Sequence, residues 1–272
     1  MKRGSLPADF PRQRVRRDLP SGKAWCMTRG FPLPPAVRER SLPMPQPELV
    51  IFDCDGVLAD SEIIAARVEA DLLTKAGFAI TPEELAETYA GLTFKDIMLR
   101  IEQEAAIPFQ ASLLDEVERL VDQKLAREVR AIDGAREAVA SVRGKRCVCS
   151  NSGTARVETT LTRTGLLPFF PGAVFSVADL PGGRPKPAPD IFLHAARTMA
   201  AEARATFVIE DSVLGIAGAK AAGMRVIGFT GGAHSHPGHA DLLTEAGAET
   251  VIRRWADFPA VIAALAEWSD GM

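Results

Sequence analysis

The sequence predicts an α/β fold, a doubly wound and mostly parallel sheet interrupted by one all-helical insertion. Three observations predict it. Residues 49–52, Leu-Val-Ile-Phe, are an unbroken apolar run of the kind a fully buried parallel strand makes. From Ile132 onward, strand-like apolar runs alternate with helical patterns, as right-handed βαβ units require. Between these regions, residues 62–130 carry helical periodicity and no strand signal.

The first strand gives way to a loop over residues 56–60 and a helix over 61–76. Asp60 or Ser61 can cap that helix, Glu62 suits its first turn and Gly77 ends it. Thr81-Pro82-Glu83-Glu84 opens the next helix with a Thr cap, Pro at the first helical position and a Glu that completes a capping box. Residues 89–93 break it, a further helix runs to Glu104, and residues 105–108 break again. Leu113, Leu114, Val117, Leu120, Val121 and Leu125 then recur at helical spacing. Beyond Ile132, strands are expected over 146–150, 173–177, 206–210, 224–229 and 250–253. Helices are expected over 154–164, 189–200 and 213–222, then up to 246, and finally up to 268. The organisation is an α/β core of residues 48–61 and 131–272 with a helical insertion at 62–130.

Residues 1–47 differ from the rest. They hold ten Lys/Arg against three Asp/Glu and nine of the 19 prolines, so a disordered basic tail is expected. The tail has no apolar signal-peptide core. Its arginines faintly suggest a transit peptide, but its prolines oppose the amphipathic helix such a peptide needs. A start at Met44, just before the first strand, is a plain alternative. For the whole chain, 47% hydrophobic and 25% charged residues fit a soluble globular protein. A net charge of −3 argues against a nucleic-acid partner, and no apolar run is long enough to span a membrane. Cys26, Cys54, Cys147 and Cys149 make no C-x-x-C pair, which favours a reducing cytoplasm over a disulfide framework. The pattern implies no particular oligomeric state.

The chemistry begins where the first strand stops, at Asp53-Cys54-Asp55-Gly56. Two carboxylates two residues apart on a strand point the same way, with Cys54 turned into the core, and Gly56 allows a sharp turn. Acids so placed are unfavourable unless a cation sits between them, and the simplest candidate is a hard divalent ion such as Mg2+. Ser150-Asn151-Ser152-Gly153 ends another strand, and a hydroxyl with backbone N–H groups at a strand-to-helix turn suits an anion. Lys186 stands between two prolines on a stiff backbone. Glu210-Asp211-Ser212 places acids at the end of a further apolar strand.

Asp-x-Asp-Gly-Val-x-x-Asp-Ser-Glu at 53–62 resembles the first motif of the haloacid dehalogenase-like (HAD) phosphohydrolases, in the branch of sugar phosphatases and β-phosphoglucomutases with a helical cap. Ser150 and Asn151 match its second motif, Lys-Pro-x-Pro-x-x-Phe at 186–192 its third, and Glu210-Asp211-Ser212 with Gly-Ile-x-x-Ala-x-x-Ala-Gly at 215–223 its fourth. The resemblance covers residues 48–270 and makes the insertion the cap. It implies Asp53 as nucleophile, Asp55 as general acid/base and Lys186 as the cation holding phosphate and Asp53. Ser150 and Asn151 become phosphate binders. Asp53, the Asp55 carbonyl and Asp211 become Mg2+ ligands, and Glu210 orients a metal water or its neighbours.

The implied activity is a Mg2+-dependent phosphatase acting on a small phosphorylated sugar or sugar acid through an aspartyl-phosphate. The mutases of this branch carry a His where this chain has Ala65, and an Arg where it has Phe94. Both departures favour hydrolysis over a β-phosphoglucomutase-like reaction. Lys95, beside Phe94, is a candidate substrate contact. Metal-free dehalogenation does not suit an intact Asp55 and Asp211, and a non-enzymatic phospho-acceptor or phosphosugar-binding protein does not suit the full constellation. His234, His236 and His239 read as turn chemistry rather than a metal site.

Overall fold

The computed structural model describes residues 47–267, apart from 90–92, 106–107 and 109; the tail expected over 1–47 lies outside them but for its last residue. Six strands form one all-parallel sheet: β1 (Leu49–Phe52), β2 (Lys145–Ser150), β3 (Val174–Ser176), β4 (Thr206–Glu210), β5 (Arg225–Phe229) and β6 (Thr250–Ile252). Their spatial order is β3-β2-β1-β4-β5-β6, so β1 lies between β2 and β4 and the order reverses there. That switch point is where an open α/β sheet leaves a crevice beyond its strand ends.

Side-chain alternation along β1 builds the two apolar layers. Val50, Phe52 and Cys54 face one layer, against α5 (Ala135–Ser141), α6 (Thr154–Arg163) and α10 (Phe258–Glu267). Phe52 there meets Phe170, Trp255 and Phe258 at 5.8–6.1 Å between ring centroids. Leu49 and Ile51 face the other, against α7 (Asp190–Thr198), α8 (Val213–Ala221) and α9 (His239–Glu245). The sheet is therefore covered on both sides, which explains why β1 and β4 are buried throughout.

Four helices lie between β1 and α5 in sequence: α1 (Glu62–Lys75), α2 (Pro82–Thr88), α3 (Phe94–Ala105) and α4 (Ser112–Glu128). They have their own apolar packing with α1 at its centre. Ile64, Val68 and Leu72 meet Val117, Val121 and Leu125 of α4, while Ala66, Ala70 and Leu73 meet Leu85, Ile97, Met98 and Ile101 from α2 and α3. The capping box forms as expected, Thr81 Oγ1 accepting from Glu84 N at 3.2 Å and Glu84 Oε2 from Thr81 N at 2.9 Å. Between α4 and α6, Arg156 pairs with Asp122 at 2.5 Å and Arg163 donates to the Arg127 carbonyl at 2.9 Å.

The structure adds α5, which the sequence pattern left unassigned. It also changes the start of α1. Ser61 occupies the N-cap position, yet its side chain makes no capping bond and is turned away to an acid described below.

Candidate active site

The site is assembled from the carboxyl ends of β1, β2 and β4. The last ladder contact of β1 runs on into Asp53, whose N–H donates to the Ile209 carbonyl at 3.0 Å and so fixes the side chain beside β4. Gly56 then turns the chain at φ +73°, and its N–H closes the loop on the Ala59 carbonyl at 2.9 Å. The Asp55 carboxylate accepts three hydroxyl bonds: from Ser61 at 2.7 Å, Ser152 at 2.8 Å and Ser150 at 3.3 Å. The Ser61 hydroxyl is spent on Asp55 rather than on capping α1.

Lys186 is buried and reaches three oxygens. Its Nζ lies 2.5 Å from Asp53 Oδ1, 2.5 Å from Glu210 Oε1 and 2.9 Å from the Cys149 carbonyl. Asn151 Oδ1 accepts from the Lys186 backbone N–H at 3.0 Å and thereby sets the lysine's position. Glu210, fully buried, also accepts from Ser212 Oγ at 3.1 Å, and that hydroxyl caps α8 by accepting from Gly215 N at 2.9 Å. A Cβ at Gly215 would overlap the Glu210 carboxylate, so glycine is what lets the helix start so close to it.

Asp53, Glu210 and Asp211 bring carboxylate oxygens within 4.8 Å of one another. Three buried acids face one lysine, which leaves two negative charges uncompensated if all are ionised. Burial pushes the Asp53 carboxyl well above the usual range; Lys186 opposes the rise, and Glu210, Asp211 and Asp55 add to it. Burial raises Glu210 in the same way, against Lys186. Burial alone would discharge Lys186, but Asp53 and Glu210 outweigh it and hold the ammonium charged. All the donors are hard oxygens, which suits Mg2+ better than a metal that seeks nitrogen or sulfur.

A loop between β5 and α9 closes the far side. His234 Nε2 lies 3.0 Å from Asp211 Oδ2, His239 Nε2 2.7 Å from the Asp211 carbonyl, and Ala233 N donates to Asp60 Oδ1 at 2.8 Å. Burial keeps the His239 imidazole below its ordinary pKa. For His234 burial works the same way but is outweighed by the Asp211 hydrogen bond and the charges of Asp211, Glu62 and Asp60, so its pKa rises.

Two further acids stand two turns apart on one face of α1. Glu62 borders the crevice, reachable by solvent yet enclosed by protein on most sides. That enclosure, with the charges of Asp55 and Asp211, pushes its carboxyl up to about 8. Glu69 is half-buried, and desolvation pushes it up to about 7. A folded-state carboxyl raised above its unfolded value of 4.5 stabilises the fold below that value and loses this contribution as pH climbs through 7. Glu69→Gln should therefore raise stability at pH 8 by on the order of 1 kcal/mol, discounted for partial exposure, and change little at pH 5. Urea unfolding at the two pH values checks this; an equal effect at both would sink it.

The sheet switch point thus carries three buried acids and one buried lysine. The chain belongs to the haloacid dehalogenase-like hydrolases: the family model matches residues 47–223. It is 30% identical over 191 residues to the 6-phosphogluconate phosphatase of Escherichia coli K12, covering 70% of this chain and 86% of that one. Among solved structures, a conserved haloacid dehalogenase-like protein of unknown function from Agrobacterium tumefaciens C58 is 56% identical at a TM-score of 0.78, covering 81% and 99% of the two chains. A HAD family hydrolase from Deinococcus radiodurans R1, with bound phosphate and sodium, is 31% identical at 0.70, covering 81% and 96%.

Of the residues singled out from sequence, Asp53, Asp55, Ser150, Asn151, Lys186, Glu210 and Asp211 come together at the strand ends. Lys95 does not join them through any hydrogen bond or ion pair: it is exposed at the start of α3, and Gly91 and Leu92 beside it lie outside the described residues. Ser61, Ser152 and His234 were not anticipated as site residues. Ser152 sits inside the Ser-Asn-Ser-Gly turn, and the paired glycines before His234 were the available sign of a close approach there. Among the described residues no helix is long and apolar enough to cross a membrane.

Proposed function

We propose that this chain is a Mg2+-dependent phosphatase that hydrolyses a small phosphorylated sugar or sugar acid through an aspartyl-phosphate on Asp53. The observation that carries this reading is the Asp53 carboxylate held 2.5 Å from a buried Lys186 at the tip of the central strand. A nucleophile meant for a dianionic phosphate needs a fixed cation beside it, and an ordinary core has no use for three acids there. Asp53 attacks phosphorus; the bond to the leaving oxygen breaks, and Asp55 gives that oxygen a proton. Asp55 then takes a proton from water as the water oxygen attacks phosphorus, which frees inorganic phosphate and restores Asp53. Lys186 and Ser150 hold phosphate oxygens, Asn151 positions Lys186, and Glu210 anchors it from below.

Asp53, the Asp55 carbonyl and Asp211 would hold the Mg2+, with Glu210 nearby, and the ion supplies charge neutralisation on the phosphate. The surplus of two negative charges and the all-oxygen donor set fit such an ion. The Deinococcus relative, with both phosphate and a cation bound, supports the same chemistry. Helices α1–α4 act as the cap that excludes bulk water and selects the substrate. The named 6-phosphogluconate phosphatase supports a sugar acid or a related sugar phosphate. Ala65 and Phe94, where mutases of this branch carry His and Arg, are here partly buried against the apolar packing of the cap.

Phosphate release from a panel of phosphorylated sugars, sugar acids and phosphoglycolate, with Mg2+ and with EDTA, tests the reading. Release from one class of substrate, lost in EDTA and restored by Mg2+, is expected. Conversion of a hexose 1-phosphate to its 6-phosphate without release would replace the phosphatase by a mutase.

A further inference from the structure

The loop from Gly231 to His239 is tied to the site at three points, through Asp60, the Asp211 carbonyl and the Asp211 side chain. We propose that His234 is a positioning residue for cation binding: its Nε2 donates to Asp211 Oδ2, fixes that carboxylate's orientation and leaves the other oxygen for the ion. The inference rests on the Mg2+-dependent reading above.

Three features point to a built arrangement. The first is the slot that holds the ring. A Cβ on Gly56 would lie 2.7 Å from His234 Cε1, and one on Gly232 would lie 2.7 Å from both Cε1 and Nδ1, so the imidazole is gripped between two backbones that tolerate no side chain. The second is the ring's own bonding. Nδ1 is buried without a hydrogen-bond partner, so the polar interaction of this ring is made at Nε2 with Asp211. Nε2 can donate there whether the ring is neutral or charged, so the role does not depend on titration. The third is the acceptor. A Cβ on Gly56 would also overlap Asp211 Oδ2, so that oxygen is wedged between Gly56 and the imidazole and is poorly placed to ligate an ion.

The backbone of Asp211 is held by the same loop. His239 Nε2 donates to the Asp211 carbonyl, while its Nδ1 accepts from Ser235 Oγ at 3.1 Å. Both the main chain and the side chain of this acid are thus fixed before any ion arrives. A carboxylate locked in one rotamer loses less freedom on binding than one that must be ordered, and partners of metal ligands commonly carry about 10–100-fold of the affinity.

Calorimetric titration of Mg2+ into the metal-free full chain tests this with His234→Leu, which fills the slot without a donor, and His234→Gln, whose amide nitrogen keeps one. His234→Leu is expected to weaken Mg2+ binding by about 10–100-fold, His234→Gln to restore most of it, and phosphate release by both to recover at saturating Mg2+. If His234→Leu does not fold, as judged by circular dichroism, His234→Ala replaces it in the comparison. Wild-type and non-donor variants binding Mg2+ equally, or tighter binding by the variant, would overturn the positioning role while leaving the metal reading in place. No Mg2+ binding by the wild type itself would overturn both.

Discussion

Asp53→Asn abolishes phosphate release, lowering kcat by a factor on the order of 10⁴ or more, and leaves the metal-free protein at least as stable as the wild type. The two halves of this prediction come from the same atoms. Burial disfavours the Asp53 charge most, Glu210, Asp211 and Asp55 add to that, and together they outweigh Lys186. A neutral amide of nearly equal volume removes that penalty, while Lys186 keeps Glu210 at 2.5 Å and the Cys149 carbonyl at 2.9 Å. The amide has no carboxylate to attack phosphorus with. Phosphate release measured beside thermal unfolding in EDTA separates the effects. A variant that is inactive only because it has unfolded would remove the argument for Asp53 as nucleophile, and one that still turns over near the wild-type rate would refute it.

Lys186→Met should be the more damaging change, because it costs both activity and stability. It leaves Asp53 and Glu210 buried without their shared counter-charge. Breaking such a pair typically destabilises by about 3–5 kcal/mol. Both acids then shift further toward their protonated forms. A folded-state carboxyl pKa raised above the unfolded value stabilises only at low pH, so the deficit in EDTA should be smallest near pH 5 and grow toward pH 8. Mg2+ should return part of the stability, since it neutralises the same acids, and little of the activity, since the phosphate and nucleophile have lost their fixed cation. Melting temperatures at the two pH values, each with and without Mg2+, check the pattern. A deficit that is the same at both pH values would mean that Lys186 serves packing rather than charge.

Much of this site was legible in the sequence because its chemistry sits where a periodicity stops. Asp53, Ser150 and Asp211 each end or directly follow an apolar strand, and parallel strands bring such ends to one edge of the sheet. Lys186 was legible from its flanking prolines. What stayed hidden depended on the direction of a side chain within a turn, or on a partner far away in the chain. Ser61 has the position of a helix cap but not its bond, because Asp55 is a stronger acceptor for its hydroxyl than a backbone N–H is a donor to it. His234 reads as one of three loop histidines until Gly56 and Gly232 are seen on either side of it. Glu69 belongs to a helix whose sequence shows nothing unusual at that position, and only the surrounding protein raises its pKa.

The position of β1 also bears on how the chain acquires activity. Leu49 pairs with Lys145 on one side and with Thr206 on the other, so the strand that leads into Asp53 is completed only by segments distant in sequence. The helices of the cap can pack among themselves within one continuous stretch, whereas enclosing Asp53 requires a long loop to be closed twice. Competence therefore arrives with β4. A chain cut before β4 has Asp53, the helical insertion and β2 beside β1, but lacks the second neighbour of β1 and the acids Glu210 and Asp211, and as synthesis proceeds the last part of the site to emerge is the histidine loop.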